Sequence, residues 1–257
     1  ARAARTRERL ARQIDGIYAP ALRALGYVPK AGAYAGDTAD RQLRRDSLAE
    51  IVVVWGRNAE VTQTFASAAQ ATLANPEILD RGLRGVIWAA GVRNGDTSFC
   101  SALQKHLVES ADAQVRADAA YALGRVEQEP AASDVRALLL HPRLAPGAVF
   151  RILRGQLENP ATRASTWKWV RENADALIAR LPAWYQPILL RAADRFCDPA
   201  ERDAVQTVFA PRLAKAGMDA LPLERQLERI SLCIALMSST ENAIKAAVEE
   251  GETKRVR

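Results

Sequence analysis

Residues 78–126, ILDRGLRGVIWAAGVRNGDTSFCSALQKHLVESADAQVRADAAYALGRV, read as three short amphipathic helices with a tight break between each. Leu83, Val86, Ile87 and Ala90 recur at the i, i+3, i+4, i+7 spacing that gathers side chains on one helix face. Asn94-Gly95 is the predicted stop, because Gly accepts the left-handed backbone of a C-terminal cap. Asp96 or Thr97 can cap the next helix, which carries Phe99, Leu103 and Leu107. Ser110 or Asp112 opens a third with Val115, Ala119, Ala122 and Leu123 inward, and Gly124 closes it. Each helix is too short to be stable alone in water and has one apolar stripe to bury. Consecutive helices with such narrow breaks bury their stripes on one another, as helical-repeat solenoids do. Ala89, Ala90, Ala119 and Ala120 are small enough to let backbones approach closely.

Outward from this stretch the same pattern continues. Helices are predicted over 2–25 (broken near Pro20), 38–55, 59–74, 77–93, 97–109, 112–124, 131–140, 146–158, 161–180, 183–196, 199–215, 221–238 and 240–250. Pro or Gly marks most boundaries, among them Pro76, Gly91, Pro130, Pro142, Pro146, Pro160, Pro182, Pro199, Gly217 and Pro222. Residues 26–37, GYVPKAGAYAGD, form the one long loop. Ile51–Val54 alone could pass for a strand, but it lies inside a longer helical period with Leu48, Ile51, Val52 and Trp55 on one face. No hairpin signal occurs. The expected fold is all-α: a single helical-repeat domain over 1–257, with stacked helix pairs.

The totals agree. A chain of 257 residues with 49% apolar and 26% charged residues can bury a substantial core and is not of the disordered class. No apolar run approaches the roughly 20 residues of a membrane span, and the basic N-terminus lacks the apolar segment of a signal peptide. The chain opens on Ala within a helical pattern, which suggests a piece of a longer polypeptide. The net charge of +6 is terminal: Arg2, Arg5, Arg7, Arg9 and Arg12 lie at one end, and Lys254, Arg255 and Arg257 at the other. The middle is near neutral, which argues against the concentrated basic groove of a nucleic-acid binder. Cys100, Cys197 and Cys233 are odd in number, without paired spacing and each in a helical pattern, so buried thiols are expected rather than disulfides.

Catalytic signatures are missing. The local sequence around His106 is QKHLVES, not the His-Glu-x-x-His that sets two imidazoles and a general base on one helix face. His106 is expected to be a partly exposed helix residue. Neither it nor His141 belongs to a zinc motif, and no nucleophile elbow or phosphate loop occurs. Asp194 and Glu201 lack acid–base spacing. Trp167 shares a face with Val170, Ala174, Leu177, Ile178 and Leu181 and is expected in the core; Trp169 points elsewhere, with Trp184-Tyr185 further on. Arg151 and Arg154, three apart, share a helix face and could read a carboxylate; salt bridges to acidic neighbours or plain solvation are the alternative.

An ordered set of segments then carries a resemblance. Gly36-Asp37 with Arg41 and Leu43 looks like an opening helix, ILDRGLRGVIWAAGVRNG followed by AAYALGRV like middle repeats ending in Ala-Leu-Gly, and LERQLERISLCIAL like a terminal helix. The most specific element is Asn159-Pro160, then Trp167, then Val170-Arg171-Glu172-Asn173. Together these resemble the C-terminal helical domain of gluzincin zinc aminopeptidases (the aminopeptidase-N, puromycin-sensitive and endoplasmic-reticulum aminopeptidase group), of the bacterial kind. The chain departs from that pattern at Pro146-Gly147-Ala148 and at Ala174.

The resemblance implies a HEAT- or armadillo-like right-handed solenoid, bowl-shaped, that closes over an active site and helps select peptides. On that reading the catalytic residues and the zinc belong to an upstream domain of the same chain, and this part holds no cofactor and is inactive alone. Its partners would be that domain and the peptide substrate, with Arg151 and Arg154 as the substrate-binding residues, and neither nucleic acid nor membrane. Both cytoplasmic and periplasmic locations fit. The alternatives are a free-standing HEAT-like scaffold for protein partners, or a HEAT-like DNA glycosylase, which needs the basic track the charge pattern lacks.

Overall fold

The computed structural model describes residues 2–93 and 97–253, apart from the side chains of 2–4, 188 and 241–253. They form α1 (Arg2–Leu25), α2 (Ala39–Glu50), α3 (Ala59–Thr72), α4 (Arg84–Arg93), α5 (Thr97–Glu109), α6 (Ala113–Leu123), α7 (Glu129–Ala137), α8 (Pro146–Glu158), α9 (Arg163–Arg180), α10 (Gln186–Leu190), α11 (Pro199–Lys215) and α12 (Leu221–Thr253), joined by short 3-10 turns and loops. The protein is all-α: among the described residues the β pairing amounts to one isolated bridge, Lys30 to Leu79, which pins the long loop that follows α1. The predicted stop at Asn94-Gly95 and the cap at Asp96 lie outside the described residues.

The chain divides into two compact units, residues 1–131 and 132–257. In the first, α4 packs between α3 and α6, and α5 lies on α6. Every residue of α4 from Arg84 to Val92 is buried, so this helix is covered on all sides rather than amphipathic as the spacing suggested. It also begins later than predicted, because the Asp80 carboxylate accepts the Gly82 and Leu83 amides and fixes the first turn. Arg84, fully buried, is held by Asp118 of α6 at 2.7 Å. Gly91, predicted as a boundary, lies inside α4: a Cβ there would come within 2.8 Å of the Phe99 ring and 2.9 Å of Ala69 Cβ. Phe99, Leu103 and Leu107 of α5 and Val115, Ala119, Ala122 and Leu123 of α6 are all buried, as their spacing required. Asp112, not Ser110, caps α6, accepting the Gln114 amide at 2.6 Å.

Two expectations at the start of the chain change. Helix α1 runs unbroken through Pro20; the carbonyl that loses its amide partner there belongs to Gly16, which is exposed and open to water. The segment after α2 is helical, as its period predicted, but residues 51–55 wind as a π-turn instead of continuing the α-helix, with the Gly56 amide reaching back to the Ile51 carbonyl at 2.8 Å. The wider turn shifts the helical phase, burying Val52, Val53 and Val54 and leaving Trp55 42% exposed.

In the second unit α8 packs on α9, α9 on α11, and α11 on α12. Trp167 is buried, edge-on to Phe196 at 5.0 Å and near Phe209 at 6.4 Å. The predicted helix over 183–196 is broken into a 3-10 turn, the short α10 and a second 3-10 turn. Conversely α12 is continuous where a break was predicted near residue 239. Ser238, Ser239 and Thr240 satisfy their hydroxyls on the helix's own carbonyls instead of ending it.

One reading is overturned: Cys197 and Cys233 form a disulfide, with Cα atoms 5.2 Å apart. Both cysteines lie in helical pattern, 36 positions apart in sequence, a spacing that says nothing of the packing of α11 and α12 that brings them together. Cys100 is a buried thiol, as expected.

Candidate functional site

The Arg151 face of α8 stands on a polar foundation. Arg180, on α9, donates to the His141 carbonyl (Nε at 3.1 Å) and to the Leu144 carbonyl, fixing the turn that launches α8. Burial lowers the pKa of its guanidinium. On the inward side Val149, Ile152, Leu153 and Leu157 are buried, with Gln156 among them. Gln156 accepts from Arg136 Nη1 at 3.2 Å and from Thr166 Oγ1 at 3.1 Å, and donates to the Ala132 carbonyl at 3.3 Å. Its own carbonyl accepts the Thr162 hydroxyl at 2.8 Å. This network couples α7, α8 and α9 and leaves α8 one register in which to present its outer residues.

The two predicted residues stand differently on that helix. Arg154, half-buried, donates to Glu158 at 2.9 Å, and Arg195 approaches the same carboxylate oxygen at 3.4 Å. Arg151 is exposed and has no ion-pair or hydrogen-bond partner among the described residues. Its titratable neighbour is the Tyr185 phenol, whose pKa burial raises while Arg151 opposes the rise. The Tyr185 hydroxyl sits over Gly147, one turn before Arg151, where a Cβ would lie 3.4 Å from it. Trp184 packs edge-on against Tyr185 at 5.1 Å and is itself 72% exposed. Three arginines and one carboxylate give this surface a positive field, bordered by an aromatic pair. An arrangement of this kind attracts an anionic group and offers it apolar contact; it contains no nucleophile–base pair. Sequence spacing does not join Trp184-Tyr185 to Arg151, because the two lie on separate helical segments. Gly147, on the arginine face a turn earlier, was the signal that something large leans on that side.

A second cluster has a structural explanation. Arg57, Arg93 and Arg125 stand at the C-terminal ends of the π-turn, α4 and α6. Arg93 donates to the Val53 and Val54 carbonyls at 2.5 and 3.0 Å, capping groups the π-turn leaves open. Arg57 and Arg93 share Glu127, at 2.8 and 3.2 Å. Arg125 faces Glu50 at 3.6 Å and stands over the Tyr121 ring at 5.0 Å. Burial pushes the Tyr121 phenol well up and the Arg93 guanidinium down. These charges answer helix ends and one another.

Among the described residues no group of three or more His, Cys, Asp or Glu could hold a metal ion. His106, half-buried, bonds the Leu73 carbonyl at 2.8 Å and stacks on Trp88 at 6.0 Å, a brace between α5 and the end of α3. Asp194 pairs with Arg191 and Arg229, and Glu201 accepts the Cys197 amide at 3.2 Å, so each carboxylate has a structural partner of its own. No described helix is long and apolar enough to cross a membrane.

A family model, that of the ERAP1-like C-terminal domain, matches residues 1–232. The chain belongs to that family. No curated protein matches it. The ERAP1-like match spans both compact units, so the Arg151 face and the arginine cluster behind Trp55 lie alike within the matched residues. It also covers α12 as far as Leu232, one residue short of Cys233.

Proposed function

We infer that this ERAP1-like domain is a substrate-gating, non-catalytic part of a zinc aminopeptidase. It caps the cavity of an upstream catalytic domain, where the zinc resides, and helps choose peptides by receiving their distal end. Stacks of short helices suit such a cap, since each helix buries its stripe on its neighbours and leaves its outer face free for a ligand. The observation that carries the reading is Arg151: exposed, unpaired among the described residues, on a rigidly seated helix beside Trp184 and Tyr185. A peptide carboxylate would meet Arg151, with Arg154 and Arg195 reinforcing the field around Glu158, while the aromatic pair contacts the adjoining side chain.

The test uses the full-length parent enzyme. Arg151→Glu with Arg154→Glu reverses the field and should reduce kcat/KM on longer peptides about tenfold, the effect of roughly 1.4 kcal/mol of lost binding. Hydrolysis of dipeptide-like substrates, too short to reach α8, should be unchanged. Equal loss on both substrate classes rejects the role.

A further inference from the structure

Unit 132–257 carries a covalent link that its helix packing alone does not require. Cys197 lies in the turn before α11 and Cys233 on α12. The Cys197 side is prepositioned: Asp198 caps α11 by accepting the Ala200 amide at 2.8 Å, and Glu201 reaches back to the Cys197 amide. The Cys233 side marks a boundary along α12. Before it, Leu223, Gln226, Leu227 and Ile230 are buried. From Ser231 to Thr240 no residue is buried, and Leu232 and Leu236 are 63% and 59% exposed. The disulfide therefore sits where α12 leaves its core, with Arg202 Nε donating to Ser231 Oγ at 2.9 Å and Arg229 pairing with Asp194 at 3.4 Å beside it.

We propose that Cys197–Cys233 is a structural clasp, made in an oxidising compartment, that holds the outer part of α12 to the turn before α11. A thiolate of one cysteine attacks the disulfide of an oxidant, a disulfide-bearing protein or small thiol of that compartment, releasing one oxidant thiol and leaving a mixed disulfide. The second cysteine's thiolate attacks the protein-side sulfur of that bond, closing Cys197–Cys233 and releasing the other oxidant thiol. Two electrons and two protons pass from the cysteine pair to the oxidant. Such bonds persist outside the reducing cytosol, so the mature protein resides there, and the buried Cys100 stays a thiol.

The full-length parent protein, acid-quenched in its source cells and alkylated in denaturant before and after reduction, should show Cys100 modified first and Cys197 and Cys233 only after reduction. It should fractionate with extracytoplasmic markers. Three cysteines alkylated at once, or a protein confined to the cytosolic fraction, overturns the compartment. For the clasp, Cys197→Ser and Cys233→Ser should each speed protease cleavage within residues 231–240 at least tenfold. The double variant should add nothing, and Cys100→Ser should change nothing. Folded wild-type protein that is reduced and alkylated provides the same readout should the variants fail to fold. Cleavage unaffected by loss of a bond proven present overturns the clasp.

Discussion

Asp46 shows how a single residue can work against its fold. It lies half-buried on α2, its carboxylate packed against Gly82, and burial raises its pKa, with the nearby Asp80 adding to the effect and Arg45 opposing it. A carboxyl whose folded pKa exceeds its unfolded one binds protons more tightly when folded, so stability falls as pH rises through that interval. Ionised Asp46 is therefore a burden at neutral pH, and none below its ordinary value of 3.8, where it is protonated in both states. Asp46→Asn should raise Tm at pH 7 by a degree or more, and the difference should vanish in thermal melts near pH 3. A constant offset across pH would assign the gain to packing. The sequence could not reveal this burden: Asp46 stands in an ordinary polar run, RRDS, and only folding brings the Asp80 cap beside it. The same limit applies to Arg151 and Arg154. Their shared face was legible from spacing, and Glu158 lay four residues from Arg154, but Arg195 and Tyr185 arrive from distant segments.

At the scale of elements, Gly91 separates propensity from packing. Helix propensity favours Ala over Gly by about 1 kcal/mol, so an exposed Gly91→Ala would stabilise. Here α3 and α5 press on α4, and the added methyl meets the Phe99 ring and Ala69 closer than carbon atoms pack. Overpacking costs roughly 1–3 kcal/mol and outweighs the propensity gain. Gly91→Ala should lower the urea midpoint, and a compensating Phe99→Leu should recover part of the loss. An unchanged or raised midpoint would mean that the ring moves aside freely. The sequence treated Gly91 as punctuation because Gly ends helices as readily as it admits neighbours. Apolar periodicity likewise placed α5 and α6 correctly but misjudged α4, whose whole circumference is covered. Periodicity reports an average face, so it also missed the π-turn at Ile51–Trp55, where one extra residue per turn exchanges Trp55 for Val53 and Val54.

Over the whole molecule, fold class was legible because short helical periods recur between Pro and Gly stops, and family because the landmarks keep their order. The ordered landmarks from Gly36 to LERQLERISLCIAL lie within or beside the matched residues 1–232. The division at residues 131 and 132 was not legible, since it falls inside α7, and Pro and Gly mark helix ends rather than the partition of cores. The disulfide belongs wholly to the second unit and ties residues 36 apart. Closing a loop of that length restricts the unfolded chain by about 4 kcal/mol on the loop-entropy account. Native-state hydrogen exchange with and without reductant should therefore show the slowest amides of α9 and α11 losing protection by that order. Those of α4 and α6, seated in a core of their own, serve as the reference and should keep theirs. A loss confined to α12 beyond Cys233 would make the bond a local tether; a loss of equal size in α4 would mean that the two units open together.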